Sequence, residues 1–279
     1  MKLAFLPPER HLDYTKWTNY QLVLAHKLLD PVNRRYAIHY NLMCMDNDQF
    51  IILDNGAAEG STVSDEDLLK LARAHGVSEV VIPDVLGDSD STLQRAQAFC
   101  HLLDVESRKW MTLRKGEGRI KFGIVAQGTT LEEAAYTIEE CFEDGSIIGP
   151  WLSTIYIPRL LIERTGDPDI RMRLVHRLWS LCTEWGLEIH LLGAAPSAPF
   201  ELKAIGQARY KNFIRGMDTS LPFNWALANE CLQTDNGCNK VPTIKRPEGY
   251  FNMGLSLDQD IIADRNCKEM LSWLSVDTH

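Results

Sequence analysis

The sequence predicts an α/β fold, a single (β/α)8 TIM-type barrel with a C-terminal closing helix, and three observations predict it. Short β-rich apolar runs alternate with helical patterns, the arrangement of βα units on a parallel sheet. At 279 residues, 45% of them hydrophobic, the chain is long enough to bury one large core. Four apolar runs end on a polar tip, at Asp54, Asp84, Gln127 and Asp218, and the C-terminal strand ends are where a barrel enzyme keeps its reactive groups. A right-handed βα repeat of this length closes most simply into such a barrel.

The strand candidates, in order, are Leu3 to Leu6, Phe50 to Leu53, Glu79 to Ile82, Ile120 to Val125, Thr154 to Ile157, Glu188 to Leu192 and Asn212 to Met217, with Tyr36 to Met43 as the candidate eighth. Ser64 with Asp67 opens a helix over Leu68 to His75, and Thr130 with Glu133 forms a capping box ahead of Ala134 to Phe142. Met172, Val175, Leu178, Trp179, Cys182 and Trp185 keep i, i+3, i+4 spacing, and Gly186 supplies the stop. Pro222 suits the first turn of a further helix, fed by a loop from Asp218 to Leu221. Leu257 to Leu274 reads as the closing helix. No repeat, linker or low-complexity tract divides the chain, so residues 1–279 read as one domain.

Composition narrows the function classes. No run approaches the ~18 apolar residues of a membrane span, and Met1-Lys2-Leu3 is not followed by a signal-peptide core, so the expected location is the cytoplasm. Seven scattered cysteines without a CxxC pair read as thiols in a reducing compartment. A net charge of −9 argues against a surface coated in phosphate-binding groups. Nucleic-acid contact is then local, and the run Arg108, Lys109, Arg114, Lys115, Arg119 and Lys121, with Trp110 inside it for stacking, is the first candidate. Lys240 to Arg246, followed by Tyr250 and Phe251, is the second. A solvated loop explains either patch equally well.

Two carboxylates in one pocket divide labour when their surroundings push their pKa values apart, and that suits chemistry at an anomeric carbon. Asp54 and Asp218 are the candidates. Asp84 and Gln127 suit a different task, since a carboxylate accepts from the N–H edge of a guanine-type base while an amide and the Gly193 N–H donate to its carbonyl. Plainer roles compete: Asp218 as a helix N-cap, Asp54-Asn55-Gly56 as a turn, Gly193 as a turn glycine, His190 as a satisfied core histidine.

Asp54-Asn55-Gly56, Pro83-Asp84, Gly123-Ile124-Val125-Ala126-Gln127-Gly128, Leu192-Gly193 and Asp218-Thr219-Ser220-Leu221-Pro222 resemble, in the same order, the active-site motifs of tRNA-guanine transglycosylases. The overall look is similar to the shorter, DNA-acting branch, the phage 7-deazaguanine DNA transglycosylases. The resemblance spans about residues 50 to 225 and implies exchange of guanine in a polynucleotide for a free 7-deazaguanine such as 7-cyano-7-deazaguanine, without a cofactor. It implies Asp218 as nucleophile, Asp54 as general acid and base, and Asp84, Gln127 and Gly193 as the holders of the base. The tRNA enzymes' CxCxxC…His zinc motif is missing, with only Cys231 and Cys238 nearby, and Phe223 stands where those enzymes carry a basic residue. DNA is therefore the expected partner, with no metal and with Arg108 to Arg119 on its phosphates. A tRNA-acting enzyme, a retaining nucleoside or glycoside hydrolase and a noncatalytic barrel subunit remain as alternatives, and oligomeric state, homo-oligomers included, stays open.

Overall fold

The computed structural model describes residues 1–60, 63–105, 114–115, 118–143, 151–194, 198, 201, 212–232 and 246–274. Its strands in chain order are β1 (Lys2–Phe5), β2 (Tyr20–Leu24), β3 (Phe50–Asp54), β4 (Glu79–Val81), the two-residue β5 (Arg114–Lys115) and β6 (Gly118–Arg119), β7 (Lys121–Val125), β8 (Leu152–Pro158), β9 (Glu188–Leu192) and β10 (Ile214–Thr219). All but β5 and β6 join one sheet, in the spatial order β1-β10-β9-β8-β7-β4-β3-β2, and every pairing in it is parallel. The edge strands β1 and β2 come together, so the sheet curls into a nearly closed TIM-type barrel with helices outside. Strands covered on both faces read as continuous apolar runs, which is why these segments lack alternation. β5 and β6 form a separate antiparallel ladder ahead of β7.

The expected eighth strand is corrected. Tyr36 to Met43 lies in a helix, Arg34–Cys44, whose buried residues Tyr36, Tyr40 and Met43 recur at i, i+4 and i+7. The strand is Tyr20–Leu24 instead, buried at all five positions. Its apolar run continues without punctuation into the helix Ala25–Leu29, which hides the boundary. Tyr36 still serves the sheet, since its hydroxyl accepts the Leu24 N–H at 2.9 Å.

The caps behave as their chemistry requires. The Ser64 hydroxyl accepts from Asp67 N–H at 3.1 Å at the start of Asp65–His75. Thr130 Oγ1 accepts from Glu133 N–H at 3.1 Å, and the Glu133 carboxylate reaches back one residue further, to Thr129 N–H at 2.6 Å. The closing helix Leu257–Leu274 is tied to the helix after β10 by buried Asn266, which donates to Pro222 O at 3.0 Å and accepts from Leu232 N–H at 2.7 Å. No helix among the described residues is long and apolar enough to cross a membrane.

Inside the barrel, large side chains fill space that glycines leave open. A Cβ on Gly216 would stand 2.5 Å from the ring of Tyr20, so no other residue fits there without displacing that tyrosine. Below Tyr20 the interior is charged. Buried Glu79 accepts from Arg215 at 2.5 and 2.9 Å, from Ser153 and Thr154 at 2.8 Å each, and from the Tyr156 hydroxyl. Burial works to raise the Glu79 carboxyl, but the Arg215 guanidinium and the hydroxyl donors leave it below its usual range.

Candidate functional site

A cavity of about 230 Å³ opens at the C-terminal end of the barrel. Every barrel strand, or the first three residues after it, supplies lining: Leu6 after β1, Leu24 on β2, Asp54 on β3, Asp84 after β4, Gln127 after β7, Pro158 on β8, Leu192 and Gly193 at β9, and Asp218 on β10. The five residues expected to act on sugar and base, Asp54, Asp84, Gln127, Gly193 and Asp218, thus share one pocket.

Asp218 is not in a loop, for β10 continues through Thr219. Nor does it cap the following helix, whose first turn is served by Thr219 Oγ1, accepting Leu221 N–H at 3.0 Å. Its carboxylate turns inward, and Oδ1 accepts from Gly193 N–H at 2.7 Å and lies 3.1 Å from His190 Nε2. Gly193 can aim its N–H this way because its φ of +76° lies in the left-handed region open to glycine. The next peptide along is anchored by Arg171, fully buried on helix Ile170–Trp185, whose Nη1 donates to Gly193 O at 2.8 Å. Arg171 is in turn paired with buried Glu201 at 2.5 and 2.7 Å. Arg171→Met is expected to destabilise the fold by about 3–5 kcal/mol, because Glu201 is left as an uncompensated buried charge. Urea unfolding checks this, and the double variant Arg171→Met/Glu201→Leu is expected to regain most of the loss.

Asp54, the last residue of β3, has a weaker set of donors: Oδ2 accepts Gly56 N–H at 3.3 Å, the bond of an Asx turn. The turn role and the cavity role coexist. Burial pushes its carboxyl well above the usual carboxylate range, and the neighbouring carboxylates of Glu59, Asp84 and Asp218 push the same way. Asp84 is gripped on both oxygens, by Asn55 Nδ2 at 3.0 Å and Gln127 Nε2 at 2.5 Å. Burial raises it, and the two amide donors work against that. Gln127 accepts Gly87 N–H at 2.9 Å on its other end and is fully buried, so its first effect is to orient Asp84.

Three features of this site escape a reading of the sequence. The core role given to His190 is met, since it is wholly buried, yet it also touches Asp218. Arg246 lies at the cavity wall, paired with Glu59 at 2.7 Å and set against the Phe251 ring at 5.3 Å. Arg159 lines the cavity beside β9 and pairs with Glu163 at 2.9 Å. Only the place of Arg246 in the second basic patch, and the position of His190 on a strand that leads to the pocket, hinted at any of these. Of the first patch, Arg108 and Lys109 lie outside the described residues, as do the side chains of Arg114, Lys115 and Arg119. Cys231 is partly buried and Cys238 lies outside the described residues.

No protein-family model and no curated protein matches the chain. Among solved structures it is similar to malate synthase from Haloferax volcanii, at 11% identity and TM-score 0.47, covering 77% of this chain and 69% of that one. It is also similar to RipC from Yersinia pestis, at 12% identity and TM-score 0.41 over 78% and 87% of the two chains. CitE from Mycobacterium tuberculosis, solved with magnesium, acetoacetate and coenzyme A, matches at 9% identity and TM-score 0.41 over 98% and 97%. Likeness at this level says nothing about chemistry.

Proposed function

We propose that this chain is a base-exchange transglycosylase that replaces guanine in DNA with a free 7-deazaguanine. The observation that carries the reading is the unequal pair of carboxylates in one cavity. Asp218 is offered two donors and keeps its other oxygen for attack, while Asp54 is poorly bonded and driven toward its protonated form.

The steps follow from that inequality. A lone pair of Asp218 forms a bond to the sugar C1′ as the C1′–N9 bond breaks, its electron pair passing to the guanine. Protonated Asp54 gives its proton to the departing base. The incoming 7-deazaguanine gives its own ring N–H proton to the Asp54 carboxylate, that nitrogen bonds to C1′, and the ester pair goes back to Asp218. Asp84, whose oxygens each retain an acceptor site beside the amide donors, takes the N–H edge of either base.

Duplex DNA, single-stranded DNA and tRNA incubated with labelled guanine test the reading, with incorporation into DNA expected. A guanine in a duplex must first be flipped out, at a cost of a few kcal/mol, so single-stranded DNA is expected to react faster. Incorporation into tRNA alone overturns the choice of polymer, and guanine release without incorporation identifies a hydrolase. Asp84→Ala is expected to weaken free-guanine binding by about 1–3 kcal/mol, since it removes an acceptor and strands the amides of Asn55 and Gln127. Isothermal titration checks this, and unchanged affinity removes Asp84 from base recognition.

A further inference from the structure

Asp218 Oδ1 sits at the end of a buried chain of hydrogen bonds whose direction can be worked out. His190 Nε2 lies 3.1 Å from it, His190 Nδ1 lies 2.7 Å from the Tyr20 hydroxyl, and that hydroxyl accepts from Arg215 Nε–H at 3.1 Å. A guanidinium carries donors alone. The Arg215–Tyr20 bond therefore runs one way, and the single phenol hydrogen is left to point at His190. Nδ1 is then the acceptor, and the imidazole proton sits on Nε2, aimed at Asp218. The far end does not swing, because Glu79 clamps the same guanidinium. Burial, the largest influence on His190, holds the imidazole below its usual pKa, so the ring this chain orients is the neutral one.

We propose that His190 is a positioning residue whose Nε2–H, oriented through Tyr20 and Arg215, pins Oδ1 of Asp218 together with Gly193 N–H and leaves Oδ2 as the oxygen that bonds to the sugar. The proposal rests on the nucleophilic role given to Asp218 above. Oδ1 becomes the ester carbonyl and keeps both donors. Oδ2 forms the bond to C1′ as the C1′–N9 pair leaves with the base, and takes the pair back when the new base arrives. The free carboxylate thus waits in one rotamer, with a single oxygen presented.

Ring nitrogen shifts of 15N-histidine-labelled protein at neutral pH are expected to show His190 protonated on Nε2, and Tyr20→Phe is expected to lose that preference. A ring protonated on Nδ1, or on both nitrogens, overturns the proposal. In single-turnover exchange, His190→Leu is expected to slow guanine incorporation roughly 10- to 100-fold, the effect of losing a hydrogen bond to a charged group, with free-guanine affinity unchanged. His190→Gln offers an N–H to the same oxygen and is expected to recover part of the rate. Equal rates for folded Leu and Gln variants overturn the positioning role. The nitrogen shifts need no turnover, so an Nε2-protonated ring in a protein that exchanges no base sinks the transglycosylase reading while the orientation of Asp218 stands.

Discussion

Asp218→Asn is expected to abolish base exchange, by roughly four orders of magnitude or more, the scale on which loss of a covalent nucleophile is felt. A neutral amide oxygen is too weak a nucleophile to displace the base and form the sugar ester. The fold is expected to survive, because the asparagine oxygen can still accept from Gly193 N–H and His190 Nε2–H, the donors that hold Asp218 in place. Labelled-guanine incorporation and far-ultraviolet circular dichroism check the two halves of this statement. A denaturation-resistant protein–DNA adduct, formed by the parent chain and lost in the variant, is the direct sign of the ester. Near-normal incorporation by a folded variant removes Asp218 from the role.

Asp54→Asn is expected to slow exchange by roughly 10²- to 10⁴-fold, the usual worth of a positioned general acid, and to do something opposite to stability. Burial and three nearby carboxylates raise the Asp54 carboxyl well above its unfolded value. A group raised in this way binds its proton more tightly when folded, so its favourable contribution is complete below the ordinary carboxylate pKa. It is lost as pH climbs through the raised folded value. Above that value the folded chain carries a buried charge, which asparagine does not. The variant is therefore expected to match or exceed the parent in stability at alkaline pH while losing most of its activity, as seen by denaturant titration across pH. In the parent, kcat/KM for the polynucleotide is expected to fall as pH rises through the same raised pKa, and that limb is expected to vanish in the variant. A variant that is less stable at high pH, or that keeps the limb, contradicts the assignment.

The barrel and most of its strands were legible because buried parallel strands leave short apolar runs between capped helices. Ser64, Thr130 and Gly186 mark their helix ends by local chemistry that tertiary structure does not override. Tyr20–Leu24 was not legible, since no Gly, Pro or polar cluster separates it from the helix that follows. Tyr36 to Met43 misled because its aromatic content suits a strand, although its buried positions keep helical spacing. Within the site, the polar tips Asp54, Asp84, Gln127 and Asp218 were visible because polar residues at the ends of apolar runs are conspicuous. His190 was not, because a histidine inside a strand looks the same whether or not a carboxylate faces it. Arg171 lies on a helix far along the chain from the peptide it anchors, and local sequence cannot show such a pairing.

The bonds that set Asp218 join the two ends of the molecule: Tyr20 enters with the second strand, Arg215 and Asp218 with the last, and Glu79 and His190 between. Apart from the bond between Tyr20 and His190, none of these links is available to a growing chain until β10 has docked between β1 and β9. Contacts of such long sequence separation form late, after the loop-closure entropy has been met. A partly assembled barrel therefore holds its acidic groups without the geometry that makes one of them reactive. Under the proposed reading, competence for base exchange arrives with the final strand, so a folding intermediate of this chain is expected to be chemically silent even where it is already compact.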